Sequence, residues 1–166
     1  MNERGSRTAR IARIALMTAM IEVAKIALQS IPNVELVTFL FIIFTIWFGK
    51  ETYIVSFLFV GMECLIWGMG TWVFMYLYIW PVLITVTRRM PRRDSPLPYS
   101  IAAGIFGLLF GALSALTYLV IGGPSMALSW WISGIPYDIL HGISNFVVCY
   151  VLFRPSSRAI QKSLHI

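Results

Sequence analysis

The chain has 166 residues, of which 58% are hydrophobic and only 12% charged, whereas a soluble domain is nearer half apolar and about a quarter charged. That balance predicts an integral membrane protein, and the length excludes a membrane bundle plus a sizeable soluble domain, so one domain is expected over 1–166. The formal net charge of +6 would suit a nucleic-acid partner only if the basic residues shared a face, and their positions argue otherwise.

A helix needs about 20 residues to cross roughly 30 Å of hydrocarbon, and six such segments are predicted. The first, at about 9–30, follows a basic start and ends before Pro32. Glu22 and Lys25 interrupt it and no small-x-small cleavage pattern follows, so it reads as a span rather than a leader peptide. The second, at about 34–48, is short and stops at Gly49, and "FGKET" separates it from the third, at about 53–68. The fourth, at about 71–87, follows the "GMG" turn. The fifth, at about 99–121, stops at "GGP", and the sixth covers about 131–153 with Pro136 near its start. The fold class expected is an all-α six-helix membrane bundle.

The charges sort by this topology. Arg4, Arg7, Arg10 and Arg13 open the first segment. Lys50 follows the second, Arg88, Arg89, Arg92 and Arg93 follow the fourth, and Arg154, Arg158 and Lys162 follow the sixth. With six spans, every Lys and Arg except Lys25 falls on one side. Basic residues favour the cytoplasmic side, so a multi-pass cell-membrane protein with both termini cytoplasmic is expected. The basic runs then anchor orientation and meet anionic lipid, and no nucleic-acid partner is expected.

The remaining polar groups converge on the other half. Glu22 and Lys25 lie late in the first span and are close enough to pair. Asn33 and Glu35 sit at the outer turn, and Glu63 lies about one turn from the outer end of the third span. Asp138, His141 and Asn145 fall within roughly 60° of one another on the sixth helix, where Asp138 and His141 also have the spacing of a pair. An ionised group in hydrocarbon costs about 3 kcal/mol or more, so such groups face a bundle interior or a wet cavity. An outward-opening ligand cavity is predicted. Trp67 and Trp72, which bracket "GMGT" beside Glu63, are taken as its aromatic walls, while Tyr76, Tyr78, Trp80, Trp130 and Trp131 are assigned mainly to an interfacial belt. Ala15 and Ala19 on the first span, and Gly107, Gly111 and Ala115 on the fifth, form small-residue faces suited to close helix approach.

Several chemistries have no motif here. There is no GxxxxGK[ST], HExxH or GxSxG, Ser144 is turned away from Asp138, and Cys64 and Cys149 sit singly in apolar runs as structural thiols, with neither a disulfide nor a metal site expected. No enzyme activity and no cofactor are expected of this chain.

Six spans, an outward polar pocket, an AxxxA on span one, and the runs "IPNVELVTFLFIIFTIWFG", "MYLYIWPVL" and "SWWISGIPYDILHGISNF" together resemble the substrate-binding S components of energy-coupling factor (ECF) transporters. That resemblance extends over the whole chain and implies a subunit of an ABC-type vitamin importer. Such a subunit takes a vitamin from outside and delivers it with a transmembrane T component and two cytoplasmic ATPases that bind ATP, and its AxxxA face, Ala15 and Ala19 here, docks on the T component. The resemblance points to cobalamin. The acidic excess of Glu22, Glu35, Glu63 and Asp138 over Lys25 leaves a cationic vitamin or precursor, such as thiamine or a queuosine precursor, as an alternative. A homo-oligomeric channel or proton-coupled carrier using Asp138, His141 and Glu63 is a further one.

Overall fold

The computed structural model describes residues 3–91 and 94–164, with side chains from residue 7 onward. Arg92, Arg93 and the side chain of Arg4 lie outside the described residues. Regular structure among the described residues is helical throughout: α1 (Glu3–Leu28), α2 (Val37–Phe48), α3 (Glu51–Trp67), α4 (Thr71–Arg89), α5 (Leu97–Leu108) and α6 (Phe110–Leu164).

The second and third segments, separated in sequence by little more than Gly49 and Lys50, are indeed separate helices, because Gly49 takes φ 58° and ends α2. The largest differences from the sequence reading lie at the end of the chain. The predicted fifth segment is α5 joined to the first arm of α6 across Leu109, whose N–H still reaches the Ile105 carbonyl at 3.0 Å. No loop follows "GGP". A single non-helical residue, Gly123 with φ 76°, in a region that glycine enters without steric penalty, bends the chain back into a second arm. That arm runs from 124 to 164, so Pro136 lies inside a helix rather than near its start, and helix continues beyond 153. The stretch Leu97–Leu164 is long and apolar enough to cross a membrane by length and composition, with a peak mean hydropathy of 2.1.

α2 is the axis of the bundle and packs against each of the other five helices. Its twelve residues include no charged group, and a helix that is apolar all round belongs inside. Phe41, Ile42 and Ile43 on it are essentially inaccessible. Phe41 stacks on Trp80 of α4 at 4.9 Å between centroids, and Trp80 in turn meets Phe59, Tyr76, Phe106 and Phe110. α5 lies directly on the second arm of α6. A Cβ at Gly107 would come within 2.8 Å of the Gly142 Cα, so backbone meets backbone there.

Contacts between helix ends fix their relative direction. At one end Arg10 and Arg13 of α1 pair with Glu51 at the start of α3 at 3.1 and 2.8 Å. There too Arg88 near the end of α4 lies 5.7 Å over the Tyr53 ring, and Tyr99 of α5 stacks on Phe153 at 5.0 Å. At the other end Lys25 of α1 pairs with Glu63 of α3, and the 29–36 turn meets α6 through Glu35 and His141. The described basic residues other than Lys25 therefore gather at the first end.

Candidate functional site

α2 has twelve residues and, at 1.5 Å per residue, is only about 18 Å long, so the axis of the bundle is empty above its N-terminus. That space is a cavity of about 600 Å³, within the range of small-molecule sites. The 29–36 turn forms one side of it. Asn33 adopts φ 58°, a conformation asparagine tolerates better than most residues, and its carbonyl accepts the Ser144 hydroxyl. The floor is aromatic: Phe59, Tyr76, Trp80 and Phe110. The far wall comes from α6, where Trp130 donates its indole N–H to Ser114 Oγ at 2.8 Å and stacks on Tyr118 at 3.9 Å.

The two lining carboxylates are held by helix starts. Glu35 Oε2 accepts the Thr38 N–H of α2 at 2.9 Å, and its Oε1 lies 3.3 Å from His141 Nε2. Burial by itself would push the Glu35 carboxyl up, but the His141 and Thr38 hydrogen bonds outweigh it and hold the group below the usual carboxylate range. Asp138 reaches across to Gly111, whose N–H is left free because the helix is interrupted at Leu109, and both Asp138 oxygens share that donor at 3.0 and 3.1 Å. Negative charge at a helix start is favoured by the exposed N–H groups and the helix dipole.

Of the residues singled out from the sequence, Lys25, Asn33, Glu35, Asp138 and His141 line the cavity. Glu22, Glu63, Trp67, Trp72 and Asn145 are not among its lining residues. Glu22 and Glu63 are buried behind Lys25. Lys25 pairs with Glu63 rather than with Glu22, because α3 packs against α1 and brings a carboxylate from another helix within reach, and both Glu22 oxygens are left without a hydrogen-bond partner. Asp138 and His141, whose spacing would allow them to pair, likewise make longer-range contacts instead, to Gly111 and to Glu35. Asn145 lies one step deeper, with Nδ2 at 3.2 Å from Thr38 Oγ1. Trp67 is 54% exposed with the Lys25 ammonium 5.7 Å over its ring, and Trp72 packs edge-on against Tyr76.

The aromatic lining falls instead on Tyr76, Trp80 and Trp130, which the sequence reading left mainly to an interfacial belt, and on Phe59, Phe110 and Tyr137. Helical spacing held part of this signal: Tyr76 and Trp80 are one turn apart, as are Ser133 and Tyr137. Ala15 and Ala19 are exposed on the outer face of α1. Gly107 and Gly111 face the second arm of α6, at Gly142 and Asp138. Cys149 is buried, Cys64 is half-buried, and both are free thiols. No group of His, Cys, Asp and Glu able to hold a metal occurs among the described residues. No protein-family model, curated protein or solved structure matches the chain.

Proposed function

We propose that the chain is the membrane-embedded capture subunit of an ECF-type importer, taking a vitamin-sized solute from outside and passing it inward with a T component and two ATPases. The observation that carries this reading is the open cavity of about 600 Å³ at the end of the bundle opposite the basic residues. The exterior supports the membrane setting. Large apolar side chains are exposed on every helix except the central α2, among them Leu65 and Val120 at 87% each, and contiguous apolar surface of this extent marks a membrane or protein interface. In this reading the helices cross as six passes, with α5 and the first arm of α6 as the fifth. The basic end is cytoplasmic by the positive-inside rule.

The size of the cavity bears on the cargo. A complete corrinoid is large for about 600 Å³, so a smaller vitamin or precursor is favoured over cobalamin. The exposed Ala15 and Ala19 face of α1 is the proposed docking surface for the T component, since small residues let a partner helix approach closely.

The test is affinity purification of the tagged chain from native membranes, with mass spectrometry of proteins and bound small molecules. Recovery of a transmembrane partner with two ATPases is expected. Double substitution Ala15→Trp, Ala19→Trp is expected to remove those partners while leaving the small molecule bound. A chain recovered alone, or only with copies of itself and no small molecule, overturns the proposal in favour of a channel or scaffold.

A further inference from the structure

We infer that the cavity is built for a compact, flat organic cation, an inference that rests on the reading of the cavity as a capture site. Charge comes first. The lining holds the carboxylates Glu35 and Asp138 and one ammonium, Lys25. Lys25 is already paired with Glu63, with the buried Glu22 nearby on α1. No arginine lines the cavity. An anionic ligand would thus find its one cation neutralised and would be desolvated beside two carboxylates.

The acids, in contrast, keep accepting capacity. An ionised carboxylate offers about four lone-pair positions. The two oxygens of Asp138 share one backbone N–H, so a ligand N–H has somewhere to go. His141 is committed to Glu35 at 3.3 Å and packs edge-to-face on Phe110 at 5.1 Å, which keeps it at the wall.

Shape comes next. Phe59, Tyr76, Trp80, Phe110, Trp130 and Tyr137 all line the same space. Rings of this kind attract a cation through their negative faces, most strongly when water is excluded and when the ring is tryptophan. They also accept a flat partner by stacking. Trp80, only 3% exposed, is held by packing and presents its ring at the floor of the cavity.

The test uses one ring in three charge states: 1-methylnicotinamide as cation, nicotinamide as neutral molecule and nicotinate as anion. Each is titrated into the full chain in lipid nanodiscs, with quenching of tryptophan fluorescence and the unfolding midpoint as readouts. The cation is expected to bind saturably and at least about tenfold more tightly than nicotinamide, and nicotinate not at all. The double variant Glu35→Gln, Asp138→Asn keeps acceptors for Thr38 and Gly111 and is expected to lose the charge preference while still binding nicotinamide. Trp80→Phe, which keeps a ring in the core, is expected to weaken all binding. Equal or tighter binding of nicotinamide or nicotinate, no saturable binding of any of the three, or a preference that survives the double variant overturns the inference. The affinity purification above uses no added ligand, so recovery of the partner subunits in any of those cases leaves the capture reading standing while this one falls.

Discussion

Glu35 and Asp138 each accept a backbone N–H at the start of a helix, Thr38 for Glu35 and Gly111 for Asp138, and each also lines the cavity. The first role sets what substitutions do to stability. Asp138→Asn retains an acceptor for Gly111 and is expected to be nearly neutral in thermal unfolding, because asparagine caps helices about as well as aspartate. Asp138→Leu leaves the Gly111 N–H orphaned and is expected to lose about 1–3 kcal/mol. Equal midpoints for the two variants would remove Asp138 from the capping role. Glu35 adds a pH dependence. Its carboxyl is held below the ordinary value of 4.5, so the ionised form favours the folded state. That stabilisation is fully present above the ordinary value and is lost as the pH falls through the lowered one. The unfolding midpoint of the native chain is therefore expected to fall more steeply below about pH 4.5 than that of Glu35→Gln, and parallel curves would contradict the assignment. The spacing of Asp138 and His141 made their shared face legible in the sequence. Their partners were not legible, since Glu35 and Gly111 come from segments that only folding brings alongside.

α5 and the second arm of α6 touch through glycine. Gly107→Leu places its first side-chain carbon within 2.8 Å of the Gly142 Cα, backbone that cannot rotate aside. The expected result is loss of folded protein or a destabilisation of about 3 kcal/mol, at the upper end of overpacking effects. Gly61 on α3 is the control. A Cβ there meets nothing within 4 Å, and Gly61→Ala is expected to raise stability by about 0.5–1 kcal/mol through helix propensity. Thermal unfolding of both variants checks this, and similar effects from the two would mean that α5 does not sit tightly on α6. The small-residue spacing on α5 was readable from the sequence. The extent of α6 was not. Pro136, expected near the start of its helix, lies inside it because Gly123 alone makes the bend and no loop residues are used.

For the whole molecule, the sorting of charge makes a prediction about sidedness. Cysteines introduced at Gln29 and at Arg158, in a background with Cys64→Ser and Cys149→Ala, mark the cavity end and the basic end. In intact cells a membrane-impermeant thiol reagent is expected to label position 29 and to spare position 158 until the membrane is opened. Labelling of both in intact cells, or of neither, would sink the proposed topology.

The sequence by itself determined the helical class, the approximate extent of most helices, and the gathering of basic residues at one end with Glu22, Glu35, Glu63 and Asp138 towards the other. Those follow from composition and from spacing along one element, which need no knowledge of neighbours. Only the tertiary structure decided that α2 stops short on the axis and leaves a cavity above it, that Lys25 answers Glu63 instead of Glu22, and that Tyr76, Trp80 and Trp130 rather than Trp67 and Trp72 supply the aromatic lining. Each of those depends on which helix packs beside which. Hydrophobic packing is set by surfaces that several segments contribute jointly, so a pattern within one segment does not encode it.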